Sequence, residues 1–211
     1  KHMLTAISTS NAIPLVRVPW NEPYEIMKVL DAGAYGVIVP LVNNREEAER
    51  AVAACRYPPE GIRSYGPNRV TFYSGKGYVR AANSEIACIV MIETAEALEN
   101  LDDIMSTPGV DAVYIGPNDL AYALDLHPSG DNNDPKHVAT VTHILETAKK
   151  HGIAAGIQTG SLEYTKRYLD QGFHMVTLGS DRGFMERLAR QELQAAREGT
   201  GAEKIESDGN F

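Results

Sequence analysis

Glu93, in Ile92-Glu93-Thr94, and Asp119, in Gly116-Pro117-Asn118-Asp119-Leu120, each stand where an apolar run ends. Glu93 closes the run 87–92 (ACIVMI), and Asp119 follows 112–116 (AVYIG). Runs this apolar predict strands covered on both faces, as in parallel α/β sheets. The C-terminal ends of such strands are where ligands and metals gather. Two carboxylates arriving there from neighbouring strands make an oxygen-only donor pair suited to Mg²⁺, with Mn²⁺ or Co²⁺ as alternatives. For either residue alone, capping of the following helix is an equal explanation; the repetition at equivalent strand positions favours a cation. Arg17 lies within 15–18 (LVRV), where a guanidinium is costly unless it meets an anion. A structural ion pair is one resolution, and a fork gripping a carboxylate or keto-acid oxygen is the other. The turn Gly116, Pro117, Asn118, Asp119 leads towards a helix, so its backbone N–H groups can receive a substrate carboxylate while Asp119 holds the metal.

These residues need a frame, and the chain supplies an alternation of short apolar runs and longer amphipathic stretches. Strands are predicted at 15–18, 37–42, 87–92, 112–116, 154–157 and 175–179, and helices near 22–32, 44–56, 95–105, 134–151, 161–171 and 182–197. Asn21, Asp134 and Ser161 stand as helix starts, and Gly33, Gly109, Gly152 and Gly172 as stops. Asp31-Ala32-Gly33-Ala34-Tyr35-Gly36-Val37 and Asp170-Gln171-Gly172-Phe173-His174-Met175-Val176 look like two copies of one joint. Six β/α units in a row predict a (β/α)₈ barrel over an open sheet. Two strands of that barrel are then not in this sequence, and the expectation is an upstream segment of about fifty residues, two units at the usual barrel size. Residues 1–198 are read as one domain and 199–211 as a polar tail.

The bulk properties narrow the partners. The 211-residue chain, 43% apolar and 23% charged, has the composition of one soluble α/β domain. A net charge of −8 argues against nucleic-acid and membrane-surface partners and leaves a small molecule. Cys55 and Cys88 are read as two buried thiols, which places the protein in a reducing cytoplasm. No histidine has metal-ligand spacing; His127, His137, His143, His151 and His174 are all read as solvated structure. No lysine stands inside a predicted strand, which disfavours a Schiff-base aldolase. Arg63, in the turn-rich loop 56–67, is assigned either to the active site or to a subunit contact.

Four segments together resemble the HpcH/HpaI aldolases, metal-dependent pyruvate aldolases such as 4-hydroxy-2-oxoheptanedioate aldolase: 16–21 (VRVPWN), 56–63 (RYPPEGIR), 92–94 (IET) and 115–120 (IGPNDL). The resemblance runs in the right order to about residue 195. It implies a TIM barrel of the phosphoenolpyruvate/pyruvate type, with Glu93 and Asp119 as metal ligands. Arg17 would be the catalytic, pyruvate-binding arginine, and the backbone at Asn118 and Asp119 would hold the pyruvate carboxylate. The implied activity is cleavage of 4-hydroxy-2-oxo acids to pyruvate and an aldehyde through a metal-stabilised enolate. It also implies a homo-oligomer, a hexamer built as a trimer of dimers that exchange their last helix, here 182–197. Two departures stand out. Met91 occupies a position where the family usually has Gln. The family's Asp–His proton-transfer pair would lie before everything in this sequence, so no general base is assigned. An oxaloacetate decarboxylase or a macrophomate-synthase-like C–C bond former on the same site, or a non-catalytic binding or structural barrel, are the competing readings.

Overall fold

A computed structural model describes residues 2–198; the expected polar tail at 199–211 lies outside the described residues. In chain order the elements are α1 (His2–Ile7), β1 (Leu15–Arg17), α2 (Pro23–Asp31), β2 (Gly36–Val39), α3 (Arg45–Cys55), α4 (Thr71–Ser74), α5 (Tyr78–Glu85) and β3 (Ala87–Ile92). There follow α6 (Ala95–Glu99), α7 (Leu101–Met105), β4 (Ala112–Ile115), α8 (Pro117–Ala123), α9 (Pro135–His151), β5 (Ala154–Gln158), α10 (Leu162–Gln171), β6 (Met175–Thr177) and α11 (Asp181–Arg197). The six strands form one all-parallel sheet in the order β1-β2-β3-β4-β5-β6, each pairing with its neighbours in sequence. This is the strand arrangement of a TIM-type barrel, laid out as a curled half-barrel.

Local chemistry explains the boundaries. Asp134 and Ser161 cap α9 and α10 by accepting the N–H groups of Lys136 and Tyr164. Asn21 does not cap α2: Glu22 holds the cap position, and the Asn21 amide instead donates to the Glu47 carbonyl at 2.8 Å, tying the start of α2 to α3. The repeated joint is real down to its hydrogen bonds. Gly33 and Gly172 donate to Leu30 and Leu169, Ala34 and Phe173 to Val29 and Tyr168, and Tyr35 and His174 to Pro14, just before β1, and to Ala155 of β5. The predicted helix 95–105 is two short helices that meet at Asn100. The long interval between β2 and β3 holds α4 and α5, which the periodicity did not announce.

Two apolar layers flank the sheet. The larger lies between strands and helices, with Val37, Val39, Val90, Ile92, Val113, Ile115 and Ile157 facing it. The smaller lines the concave face: Ile89, Met91, Ala112 and Tyr114, with Ile38, Ala154 and Met175 against them. Because strand side chains alternate in direction, Ile89, Met91 and then Glu93 follow one another up that concave face, as Tyr114 and Gly116 do on the next strand. Cys55 and Cys88 are buried free thiols, as expected.

Candidate active site

Strand register brings the singled-out residues to one end of the sheet. Arg17 pairs with Ile38, Ile89 with Ala112, and Ile92 with Ile115. Arg17, Glu93 and Gly116–Asp119 therefore all lie at the C-terminal strand ends. Arg17 closes β1 on the side opposite Val16, which packs towards the helices, so its side chain is on the concave face. It makes no ion pair among the described residues; its one hydrogen bond is a long one, 3.5 Å, from Nη1 to the Val18 carbonyl. The structural ion pair weighed for Arg17 is thus not what is formed.

Glu93 is 2% exposed. Its Oε1 accepts the Leu41 N–H at 3.0 Å, and its Oε2 is buried without a hydrogen-bond partner. A buried carboxylate oxygen left unpaired carries its full desolvation cost. Burial accordingly raises the Glu93 pKa above the usual carboxylate range. The Leu41 N–H opposes that rise, Asp119 reinforces it, and Arg17 opposes it. Asp119 and Arg17 are thus the two charged side chains that bear on the Glu93 carboxyl. Space for Oε2 depends on Gly116: a Cβ there would collide with Oε2 and lie 3.0 Å from Met91 Cε.

Gly116 is followed by Pro117 at the first position of α8, so Asn118 and Asp119 fall in the first turn, where backbone N–H groups have no helical acceptor. Both residues are exposed. Pro117 has no N–H to offer; its carbonyl instead meets His137 Nε2 at 3.2 Å. His137 is fully buried on α9, its Nδ1 has no partner among the described residues, and burial lowers its pKa against opposing pulls from the Pro117 carbonyl and Asp134. The expectation of a solvated His137 is corrected: it props the turn that carries Asp119. One apolar position on the inward face of α9 was the only signal for it.

Two further residues depart from expectation. Leu41, inside the predicted strand 37–42 but beyond the end of β2 at Val39, adopts a left-handed backbone (φ 54°) and supplies the N–H that Glu93 accepts. Arg63 faces neither the site nor a partner. It is 1% exposed, paired with Asp31 at 2.8 Å and with the Tyr78 hydroxyl at 3.0 Å, and stacked on Tyr57 at 4.5 Å. Its backbone N–H bonds to Arg56 at the end of α3, and Arg56 in turn reaches the Ile86 carbonyl just before β3. Arg63 therefore belongs to the N-terminal end of the sheet, opposite the site.

The donor set fits a hard divalent cation: one carboxylate oxygen held, one unpaired, and a second carboxylate nearby. No cluster of three or more Asp, Glu, His or Cys side chains is found among the described residues. Substrate oxygens and water would have to complete a coordination shell.

Residues 1–186 match the family model described as HpcH/HpaI aldolase/citrate lyase. The chain is 43% identical over 195 residues to a hydroxypyruvate/pyruvate aldolase from Rhizorhabdus wittichii, covering 92% of this chain and 78% of that one. It is 41% identical over 192 residues to a 5-keto-4-deoxy-D-glucarate aldolase from Enterobacter sp. (strain 638), covering 90% and 74%. The crystal structure of an HpcH/HpaI aldolase from Desulfitobacterium hafniense DCB-2 superimposes with a TM-score of 0.87 at 26% identity, covering 96% of this chain and 79% of that one.

Proposed function

The chain belongs to the HpcH/HpaI aldolase/citrate lyase family, and from that premise we propose that it is a divalent-metal-dependent aldolase cleaving 4-hydroxy-2-oxo acids to pyruvate and an aldehyde. The observation that carries the metal is the buried Glu93 carboxylate with Oε2 unpaired beside Asp119. Glu93 and Asp119 would hold the cation, with Mg²⁺ fitting the all-oxygen donors best. A cation there supplies a Lewis acid that polarises the 2-oxo group.

The chain's own groups do the rest. The first-turn N–H groups at Asn118 and Asp119 receive the substrate carboxylate. Arg17 lies at the concave edge with no ion pair among the described residues, and it meets the charge that develops on the 2-oxo oxygen. As the C3–C4 bond breaks, its electron pair passes to C3 and the 4-hydroxyl loses its proton. C4 leaves as the aldehyde, and C3 takes up a proton to give pyruvate. No residue in this chain is assigned to either proton transfer. Glu93 itself is buried, on the strand face that carries Ile89 and Met91, and the lower dielectric there strengthens its own electrostatic contacts.

The substrate class is supported by the relatives' chemistry. Counted from its keto end, 5-keto-4-deoxy-D-glucarate is itself a 4-hydroxy-2-oxo acid, and its C3–C4 cleavage releases pyruvate. We further read the protein as a cytoplasmic homo-oligomer, supported by its two free buried thiols and by the exposed apolar residues of α11. The test is pyruvate release from a panel of 4-hydroxy-2-oxo acids, with oxaloacetate alongside, before and after EDTA and after Mg²⁺ is restored. Cleavage that EDTA stops and Mg²⁺ restores is expected, together with loss of turnover in Glu93→Ala. Turnover indifferent to chelation would remove the metal, and pyruvate from oxaloacetate alone would favour a decarboxylase.

A further inference from the structure

We propose that Asn43, in the loop between β2 and α3, is a positioning residue that sets the attitude of the Glu93 carboxylate for its cation. The inference rests on Glu93 being a metal ligand. Asn43 engages four neighbours at once. Its Nδ2 donates to the Leu41 carbonyl at 3.1 Å, and its Oδ1 accepts the Thr94 hydroxyl at 2.5 Å. Its backbone N–H donates to Glu47 Oε2 at 2.7 Å, and its carbonyl accepts from Asn100 Nδ2 at 3.0 Å.

The two side-chain bonds end on the two residues that govern Glu93. Leu41 reaches Glu93 through space, because its N–H is the donor to Oε1. Thr94 reaches it through the chain, as the next residue, and is itself fixed by capping α6 through the Ala97 N–H. One planar amide therefore spans the gap between the β2 and β3 strand ends and sets the distance from donor to carboxylate.

Leu41 shows that this grip matters. Its left-handed backbone is one that a branched side chain disfavours, so a relaxed loop would turn the N–H away from Glu93. The Asn43–Leu41 bond holds the peptide in that conformation. With Oε1 pinned by Leu41, Oε2 alone is left to face a cation. Glu47 and Asn100 anchor Asn43 in turn to α3 and to the α6–α7 junction, so the clamp is tied to helices and not to a free loop. Partners of this kind fix ligand geometry in metal sites, and their loss weakens metal binding by about 10–100-fold.

The test uses Mn²⁺ as probe, with free Mn²⁺ read by electron paramagnetic resonance in the absence of substrate. Glu93→Gln serves as the reference, and Asn43→Ala and Asn43→Ser as the test variants. The unfolding midpoint of each metal-free protein reports folding. Expected are loss of Mn²⁺ binding in Glu93→Gln and a roughly 10–100-fold weaker dissociation constant in both Asn43 variants. Their kcat is expected to recover at saturating Mn²⁺, while the metal concentration for half-maximal rate rises. Wild-type Mn²⁺ affinity in a folded Asn43 variant overturns the proposal, provided Glu93→Gln has lost the metal. Undiminished binding in Glu93→Gln instead sinks the ligand assignment beneath it. Failure of both Asn43 variants to fold also overturns the positioning role, because Asn43 would then serve the fold as a whole.

Discussion

Gly116 faces the Glu93 carboxylate across the β3–β4 pairing, and the lack of a Cβ leaves room for Oε2. Gly116→Ala should push the carboxylate aside and lower kcat/KM by about a hundredfold, the scale of an ångström-sized misplacement in a site. The stability cost should stay within about 1–3 kcal/mol, as for an overpacked methyl. Steady-state kinetics beside urea unfolding separates the two, and an unimpaired Gly116→Ala enzyme would show that Glu93 need not hold its position. Tyr57 offers a pH test at the other end of the sheet. Burial pushes its phenol from 10.0 up to about 12, against an opposing pull from Arg63, and its hydroxyl has no hydrogen-bond partner. The folded state therefore keeps this proton where the unfolded chain has lost it. That stability is complete below about pH 10 and is lost as pH rises through about 12. Tyr57→Phe should flatten this part of the alkaline loss and cost little at neutral pH; equal alkaline slopes for the two proteins in urea titrations would contradict it. The placement of Glu93, Asp119 and Arg17 at the C-terminal strand ends was legible in the sequence because a charged residue at the end of an apolar strand is conspicuous. Leu41 and His137 were not. A leucine's left-handed backbone and a histidine's burial are settled by neighbours far along the chain.

Among the elements, the loop 56–67 and α5 form the N-terminal face that closes over Arg63. This loop reads as surface because turn formers crowd it, yet Arg63 is buried by Asp31, 32 residues back, and Tyr78, 15 residues ahead. The helix α5 went unannounced for a related reason: only Tyr78 and Ala82 on it are buried, too short a stripe to show a period. Arg63→Ala removes the fully buried partner of Asp31, whose own side chain is 24% exposed, so the stability cost should fall at or below the about 3–5 kcal/mol of a fully buried pair. Turnover per folded molecule should be unchanged, since the N-terminal face of such sheets serves stability and the C-terminal face chemistry. A selective loss of kcat with normal unfolding would return Arg63 to the active site. The elements that were legible, α9, α10 and the two repeated joints, are those whose caps and stops are written locally in Asp134, Ser161, Gly33 and Gly172.

On the scale of the molecule, α11 is exposed along its whole length. Phe184, Met185, Leu188 and Leu193 are 40–68% exposed, and no residue of the helix is buried. Apolar residues gathered on one helix in this way mark a surface for association, and a second copy of the chain is the occupant that our reading of the assembly requires. Light scattering should give a multiple of the 23.0 kDa chain mass, and Met185→Glu with Leu188→Glu should lower it. An unchanged mass would exclude α11 from the contact. The strictly sequential strand order has a different outcome, for the protein as it is made. Arg17, Leu41, Asn43, Glu93 and Asp119 all precede β5, and β2, β3 and β4 each pair with the strand synthesised just before. A chain leaving the ribosome from its N-terminus can therefore complete the carboxylate cradle before α9 is translated. His137 then locks the Asp119 turn from behind, and α11, the last helix among the described residues, emerges only after the chemistry-bearing end has taken shape.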